Sequence, residues 1–247
     1  MSSITIKEIE RYVEENISLF HDNRLNKLKK LKLKTILRKK NPYLFKAKNL
    51  LTAQDLVKSI LDAYLSSQEE TLFGDFLEKL AVFINSRTFM GKKSIAEGID
   101  LEFERDDKRY IVSIKSGPNW GNSSQVKKMI GNFKTAKKIL RTGNFDIEII
   151  AINGCCYGRD NKPDKGDYFK YCGQMFWSFI SGIEELYTDI IEPLGYKAKQ
   201  KNDSFIASYS QLLNISTAEF IKDFCVDGAI NWSLLVKYSS AKEKIVI

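Results

Sequence analysis

GIDLEFERDDKRYIVSIK, residues 98–115, decides the fold. From Ile99 to Glu104 apolar and acidic side chains alternate, which is the two-residue period of a strand with one covered face. RDDK supplies a turn, and the following RYIVSIK is rich in β-branched and aromatic residues suited to a pleated, half-buried surface. The pair reads as a hairpin with Asp100 near the start of one strand and Lys115 at the end of the other. The turn therefore brings both side chains to one end of the sheet.

Downstream, SGPNWGNSS reads as a loop and QVKKMIGNFKTAKKILR, residues 125–141, as a helix. Val126, Met129, Ile130, Phe133 and Leu140 fall on one side of it, with Lys127, Lys134, Lys138 and Arg141 on the other. FDIEIIAING, residues 145–154, predicts a third strand, and residues 155–172 an extended pair around a turn. The rest, from GQMFWSFISG onward, reads as mostly helical, with Phe176, Phe179, Ile180 and Ile183 at core-packing spacing.

Upstream, a helix is predicted from about Ile4 to Lys40, broken by Asn41-Pro42. Its end, RLNKLKKLKLKTILRKK, fits either a solvated lysine face beside a leucine stripe or an arm that tracks phosphates. A second helix starts at the cap Thr52, and a third covers EETLFGDFLEKLAVFIN with Leu72, Phe76, Leu80 and Phe83 on one face. Glu78 lies on this third helix, and its direction is not fixed by the pattern. The element order predicts an α/β fold, a mixed sheet flanked by helices with helical N- and C-terminal additions. Residues 1–40 are expected to form a basic helical region and 41–247 the catalytic domain.

The chain of 247 residues carries 39 Lys and Arg against 31 Asp and Glu, a net charge of +8, so its field favours a polyanion such as nucleic acid. With 43% hydrophobic residues it can bury a sizeable core. No apolar run approaches the roughly 20 residues of a membrane span, and MSSITIKEIERY is charged where a secretory signal would be apolar. A cytoplasmic protein without membrane contact is expected. Cys155, Cys156, Cys172 and Cys225 have no zinc-site spacing with one another or with His21, the single histidine. They are expected to be buried, reduced thiols. No phosphate-binding glycine loop is present, which argues against an ATP-driven motor. Chemistry must come from carboxylates, lysines and water.

Phosphodiester hydrolysis needs an activated water, neutralisation of charge growing on the phosphate, and protonation of the leaving oxygen. Mg2+ is a hard cation and takes oxygen ligands, usually one or two carboxylates completed by carbonyls and waters. Asp100 and Lys115, at one end of a hairpin, meet that need.

These residues resemble the core of the PD-(D/E)XK nuclease superfamily, in which an aspartate, a second acid and a lysine two positions later form the metal site. NPYLF, GIDLEF, SIKSGPNWGNSSQ, INGCCYG and GQMFWSFISG are together similar to type II restriction endonucleases of the PmeII family, over about residues 41 to 235. The resemblance implies a restriction-endonuclease-like fold, with Asp100 holding Mg2+ and Lys115 orienting the water and stabilising charge at the phosphate. It departs at Ser113, where the superfamily has Asp or Glu. A neutral hydroxyl is a poor Mg2+ ligand, so Ser113 is expected to support the site by a hydrogen bond and the second acid to come from elsewhere. The resemblance points to Glu78, with Glu102 kept beside it.

Just beyond Lys115, the amides of Asn119, Asn122 and Gln125 can pair with adenine edges, and Ser123 and Ser124 can contact bases or phosphates. Ser123 or Ser124 also suits a helix cap. Lys127 adds a phosphate contact. The expected function is a Mg2+-dependent type II restriction endonuclease, cutting a short double-stranded DNA site as a homodimer whose symmetry matches that of the site. A structure-selective repair or recombination nuclease and a catalytically decayed DNA-binding module are the alternatives.

Overall fold

A computed structural model describes residues 4–141 and 147–242. In chain order its elements are α1 (Ile6–Lys29), α2 (Leu33–Leu37), α3 (Pro42–Ala47), α4 (Ala53–Thr88), β1 (Leu101–Arg105), β2 (Lys108–Lys115), α5 (Ser123–Arg141), β3 (Glu148–Cys155) and β4 (Phe169–Cys172). Then follow α6 (Gln174–Ser181), α7 (Leu186–Asp189), α8 (Ile191–Leu194), α9 (Ala198–Phe224), β5 (Cys225–Val226), β6 (Ala229–Ile230) and α10 (Trp232–Ser240). This is a mixed sheet flanked by helices, the restriction-endonuclease-like α/β class. The chain divides into two units, one joining Met1–Ser18 to Phe73–Tyr196 and the other Leu19–Leu72 to Lys197–Ile247.

The first unit holds the four-stranded sheet in the order β1-β2-β3-β4. β1 and β2 are antiparallel, with Leu101 opposite Val112 and Arg105 opposite Lys108. Their turn residues Asp106 and Asp107 both have positive φ, 52° and 55°, the conformation that matches a two-residue turn to the strand twist. Aspartate tolerates it because its short polar side chain bonds locally. β3 runs parallel to β2, with Ser113 opposite Asn153 and Lys115 opposite Cys155. Phe145 and Asp146 of the predicted third strand lie outside the described residues.

β4 corrects an expectation. The pairing around a turn within residues 155–172 is confined to a short antiparallel bridge, Asp164 opposite Phe169, and β4 itself is parallel to β3, with Ile152 opposite Phe169 and Cys155 opposite Cys172. The link between them returns to the starting end of the sheet, as a parallel pair requires. α5 covers one face, burying Met129, Phe133 and Ala136 against Ile99, Ile111, Ile149 and Ala151. On α6, Phe176, Trp177 and Ile180 are buried, so this aromatic stretch is core.

The second unit is helical, with a small β5-β6 hairpin. Its core joins Leu33, Ile36, Leu37 and Phe45 to Leu56, Ile60, Phe220, Phe224 and Tyr238. The single helix expected to Lys40 is broken, because Lys32 is extended (φ −123°, ψ 117°). The cause is leucine spacing. Leu28, Leu31 and Leu33 leave the three-to-four step of one helix face, and restarting the helix at Leu33 lets Leu33, Ile36 and Leu37 be buried together. Asn41 then caps α3, its side chain accepting from the N–H groups of Tyr43 and Leu44. Thr52 caps α4 as expected, accepting from Asp55 N–H at 3.1 Å. The two helices predicted from Thr52 onward are one continuous α4.

Candidate active site

Gly98 begins the approach to the site. Its φ of +73° turns the chain out of the preceding loop, and a Cβ there would stand 2.0 Å from Asn132 Nδ2. The Asp100 N–H then donates to Val112 O at 2.8 Å, which fixes its backbone against β2. Continuing the β1-β2 register one step sets Asp100 opposite Ser113, and strand alternation puts Ser113 and Lys115 on the same face.

The Asp100 side chain is held from β2. Its Oδ2 accepts the Ile114 N–H at 2.7 Å, and the Lys115 ammonium lies 3.8 Å from the same oxygen. Lys115 Nζ also donates to Ile114 O at 2.9 Å and sits 5.4 Å from the centre of the Trp120 ring. Both charged groups remain partly open to solvent, with side-chain exposures of 30% for Lys115 and 19% for Asp100, so a substrate can reach them.

Glu78 comes to this pair from α4. Its carboxyl is pushed above the ordinary glutamate range, first by burial and then by the negative charge of Asp100, against opposing pulls from Lys93 and Lys115. Lys93 bonds it at 3.4 Å from an exposed position. Asp100, Lys115 and Glu78 therefore share one electrostatic neighbourhood. Glu102 does not join them: it is buried rather than solvent-facing, accepts from Ser94 Oγ at 3.0 Å, and lies near Lys92 and Arg109.

Ser113 is buried. What it contributes visibly is its backbone carbonyl, which accepts from Asn153 Nδ2 at 3.2 Å. Asn153 Oδ1 in turn accepts from Trp120 Nε1 at 3.0 Å. Asn153 is a residue that sequence reasoning missed. The available signal was a lone amide in the apolar run IIAINGCC, since a buried polar group on a strand must have partners. Trp120 is half-buried against the α5 core.

The loop after Lys115 is exposed at Asn119, Asn122, Ser123, Ser124 and Gln125, as is Lys127 on α5. The cap is neither serine. Asn122 Oδ1 accepts from Gln125 N–H at 3.1 Å, and Gln125 Oε1 accepts from Asn122 N–H at 2.9 Å. This reciprocal pair satisfies two backbone donors at the start of α5. Gly117 lets the loop pass closely under Tyr157, whose ring carbon would stand 2.2 Å from a Cβ there.

The residues fit a divalent cation in one respect and limit it in another. Burial and the neighbouring Asp100 charge favour the protonated form of Glu78, and a cation beside the two carboxylates would offset that penalty. Among the described residues no group of three or more His, Cys, Asp or Glu side chains is placed to hold a metal. Two carboxylates with waters and a carbonyl is a donor set that suits Mg2+. The thiols fit no metal role here: burial pushes Cys155 up to about 12 and Cys156 higher still.

No described helix is long and apolar enough to cross a membrane. The family model of the type II restriction endonuclease EcoO109I matches residues 7–202. No curated protein matches the chain.

Proposed function

The chain belongs to the type II restriction endonuclease EcoO109I family, and from that premise we propose that it is a Mg2+-dependent PD-(D/E)XK nuclease that hydrolyses one specific short double-stranded DNA site. The likeness of SIKSGPNWGNSSQ to the PmeII enzymes belongs to the same proposal. So do a cytoplasmic location and a homodimer, since a two-fold protein supplies one cut per strand of a two-fold site.

The observation that carries the reading is the shared field of Glu78, Asp100 and Lys115. Asp100 and Glu78 would hold the cation, with Ser113 leaving the place of the usual second acid neutral. When bound, the cation supplies polarisation of the phosphate and of the attacking water. Lys115 adds a fixed positive charge where negative charge grows on the phosphate, and its ammonium is positioned to orient the water. Ile114 N–H and the Lys115 ammonium both hold one oxygen of Asp100, which leaves the other for the cation. Asn119, Asn122, Ser123, Ser124 and Gln125 supply base and phosphate contacts beside the cut, and Lys127 a phosphate contact.

The test is a plasmid digest with Mg2+ followed by sequencing of the fragment ends. Discrete fragments sharing one sequence at their ends support the reading. Cutting confined to branched DNA favours a structure-selective nuclease, and DNA binding without cutting under any divalent metal favours a decayed site.

A further inference from the structure

The strongest charge asymmetry of the molecule lies outside the catalytic unit. Residues 23–54 contain eleven basic side chains and not one Asp or Glu, a local charge of +11 against +8 for the whole chain. The preceding stretch, residues 7–22, is the reverse, with two basic residues and five acidic ones. A face kept in solution needs only charge of either sign, and single-sign clustering costs self-repulsion. The asymmetry calls for a partner.

The strip is held rigidly from behind. Leu33, Ile36, Leu37 and Phe45 are buried in the core of the second unit, so α2 and α3 are fixed frames rather than floating arms. Some cations of the strip are engaged: Arg24 with Glu69, Lys34 with Asp223, and Lys46 over the Trp232 ring. Lys29, Lys30, Lys32, Lys39, Lys40 and Lys48 have no ion pair or side-chain hydrogen bond among the described residues. Tyr43 on α3, between Lys40 and Lys48 in the sequence, is 63% exposed.

We propose that this strip of the second unit, centred on Lys29–Lys32 and Lys39–Lys48, binds the phosphate backbone of duplex DNA independently of sequence. The inference rests on the nuclease reading for its choice of DNA among polyanions. Lysine is a point charge on a flexible stem that neutralises phosphates without reading bases. A nuclease that must find one site gains from such contacts, because they supply non-specific binding and sliding.

The experiment measures affinity of the full chain for a fluorescent duplex of arbitrary sequence, in EDTA, over a salt series. Two triple variants are compared with wild type: Lys29→Gln with Lys30→Gln and Lys32→Gln, and Lys39→Gln with Lys40→Gln and Lys48→Gln. Each phosphate contact contributes about 0.9 to the slope of log affinity against log salt. Each triple is expected to lower that slope by about 2 to 3 and to weaken low-salt binding at least about tenfold, with an unchanged melting temperature. A control triple at the exposed Lys58, Lys199 and Lys237 should leave the slope unchanged.

Equal slopes for all the proteins overturn the inference. So does a loss of binding to phosphatidylserine vesicles with the DNA slope intact, which would assign the strip to a lipid surface. Because no metal is present, the result is independent of cutting. A chain that binds through the strip but never cleaves keeps this inference and loses the nuclease reading, whereas a chain that cleaves with unaltered slopes does the opposite.

Discussion

The Lys115 ammonium stands 3.8 Å from Oδ2 of Asp100, an oxygen already committed to the Ile114 N–H at 2.7 Å. The lysine is thus anchored beside the aspartate rather than neutralising it alone, and its side chain stays 30% exposed. Lys115→Met is expected to lower the single-turnover cleavage rate about 10²- to 10³-fold, the usual loss for one preorganised electrostatic group. DNA affinity in EDTA should change little, and Lys115→Arg should recover only part of the rate because its planar fork replaces a point charge.

Glu78 gives a pH signature. Its folded-state pKa is raised above the ordinary 4.5 by burial and by Asp100, so the folded state binds more protons than the unfolded one between those values. Stability of the metal-free protein therefore falls as pH rises from 4.5 through the raised value. Glu78→Gln should melt higher than wild type at neutral pH, with the gain vanishing below the unfolded value. The exposed Lys93 contact it loses is worth little. Thermal unfolding in EDTA across the acid-to-neutral range reads this directly, and an unchanged or lower neutral melting temperature contradicts it.

Asn153 ties Ser113 to Trp120 through two hydrogen bonds while only 1% exposed. Asn153→Leu would leave the Trp120 N–H and the Ser113 carbonyl without that partner. A loss of about 1–3 kcal/mol per buried group left unpaired is expected. Denaturant unfolding should show the drop, and cleavage should fall with it because Ser113 sits opposite Asp100 and two residues before Lys115 on the sheet.

Gln125 separates cap from contact. Gln125→Glu preserves an acceptor for Asn122 N–H and places a negative charge at a helix N-terminus, so stability should hold or rise by a few tenths of a kcal/mol. If the loop meets DNA, the same change should weaken duplex binding about tenfold by repelling phosphate. Asn122→Ala should instead cost about 1 kcal/mol of stability. Calorimetry and a binding titration on the same preparations give both numbers.

The hairpin and α5 were legible in the sequence because each is local: alternation in IDLEFE, two turn aspartates, and a helical stripe ending in basic residues. The placing of Asp100 and Lys115 at one end of the sheet followed from that hairpin, whereas their roles at a metal rest on the family resemblance. The orientation of Glu78 was not legible, because it lies on a 36-residue helix whose faces are chosen by tertiary packing. The direction of β4 was hidden for a related reason, since a turn-rich link reads alike whether it closes a hairpin or returns for a parallel strand. Asn122 was passed over as the cap of α5 because two serines next to it had the same propensity. The break at Lys32 could be read from the two-residue step between Leu31 and Leu33, a strand-like spacing inside a helical run.

The measurement that bears most directly on Asp100 and Lys115 as the centre of a metal-dependent cutting site is a plasmid-cleavage time course. Wild type, Asp100→Ala and Lys115→Ala are run with and without Mg2+. The prediction is discrete fragments from wild type only when Mg2+ is present, and an intact plasmid from both variants while they still bind DNA. Cutting at the wild-type rate by either variant, or by wild type in EDTA, would contradict it.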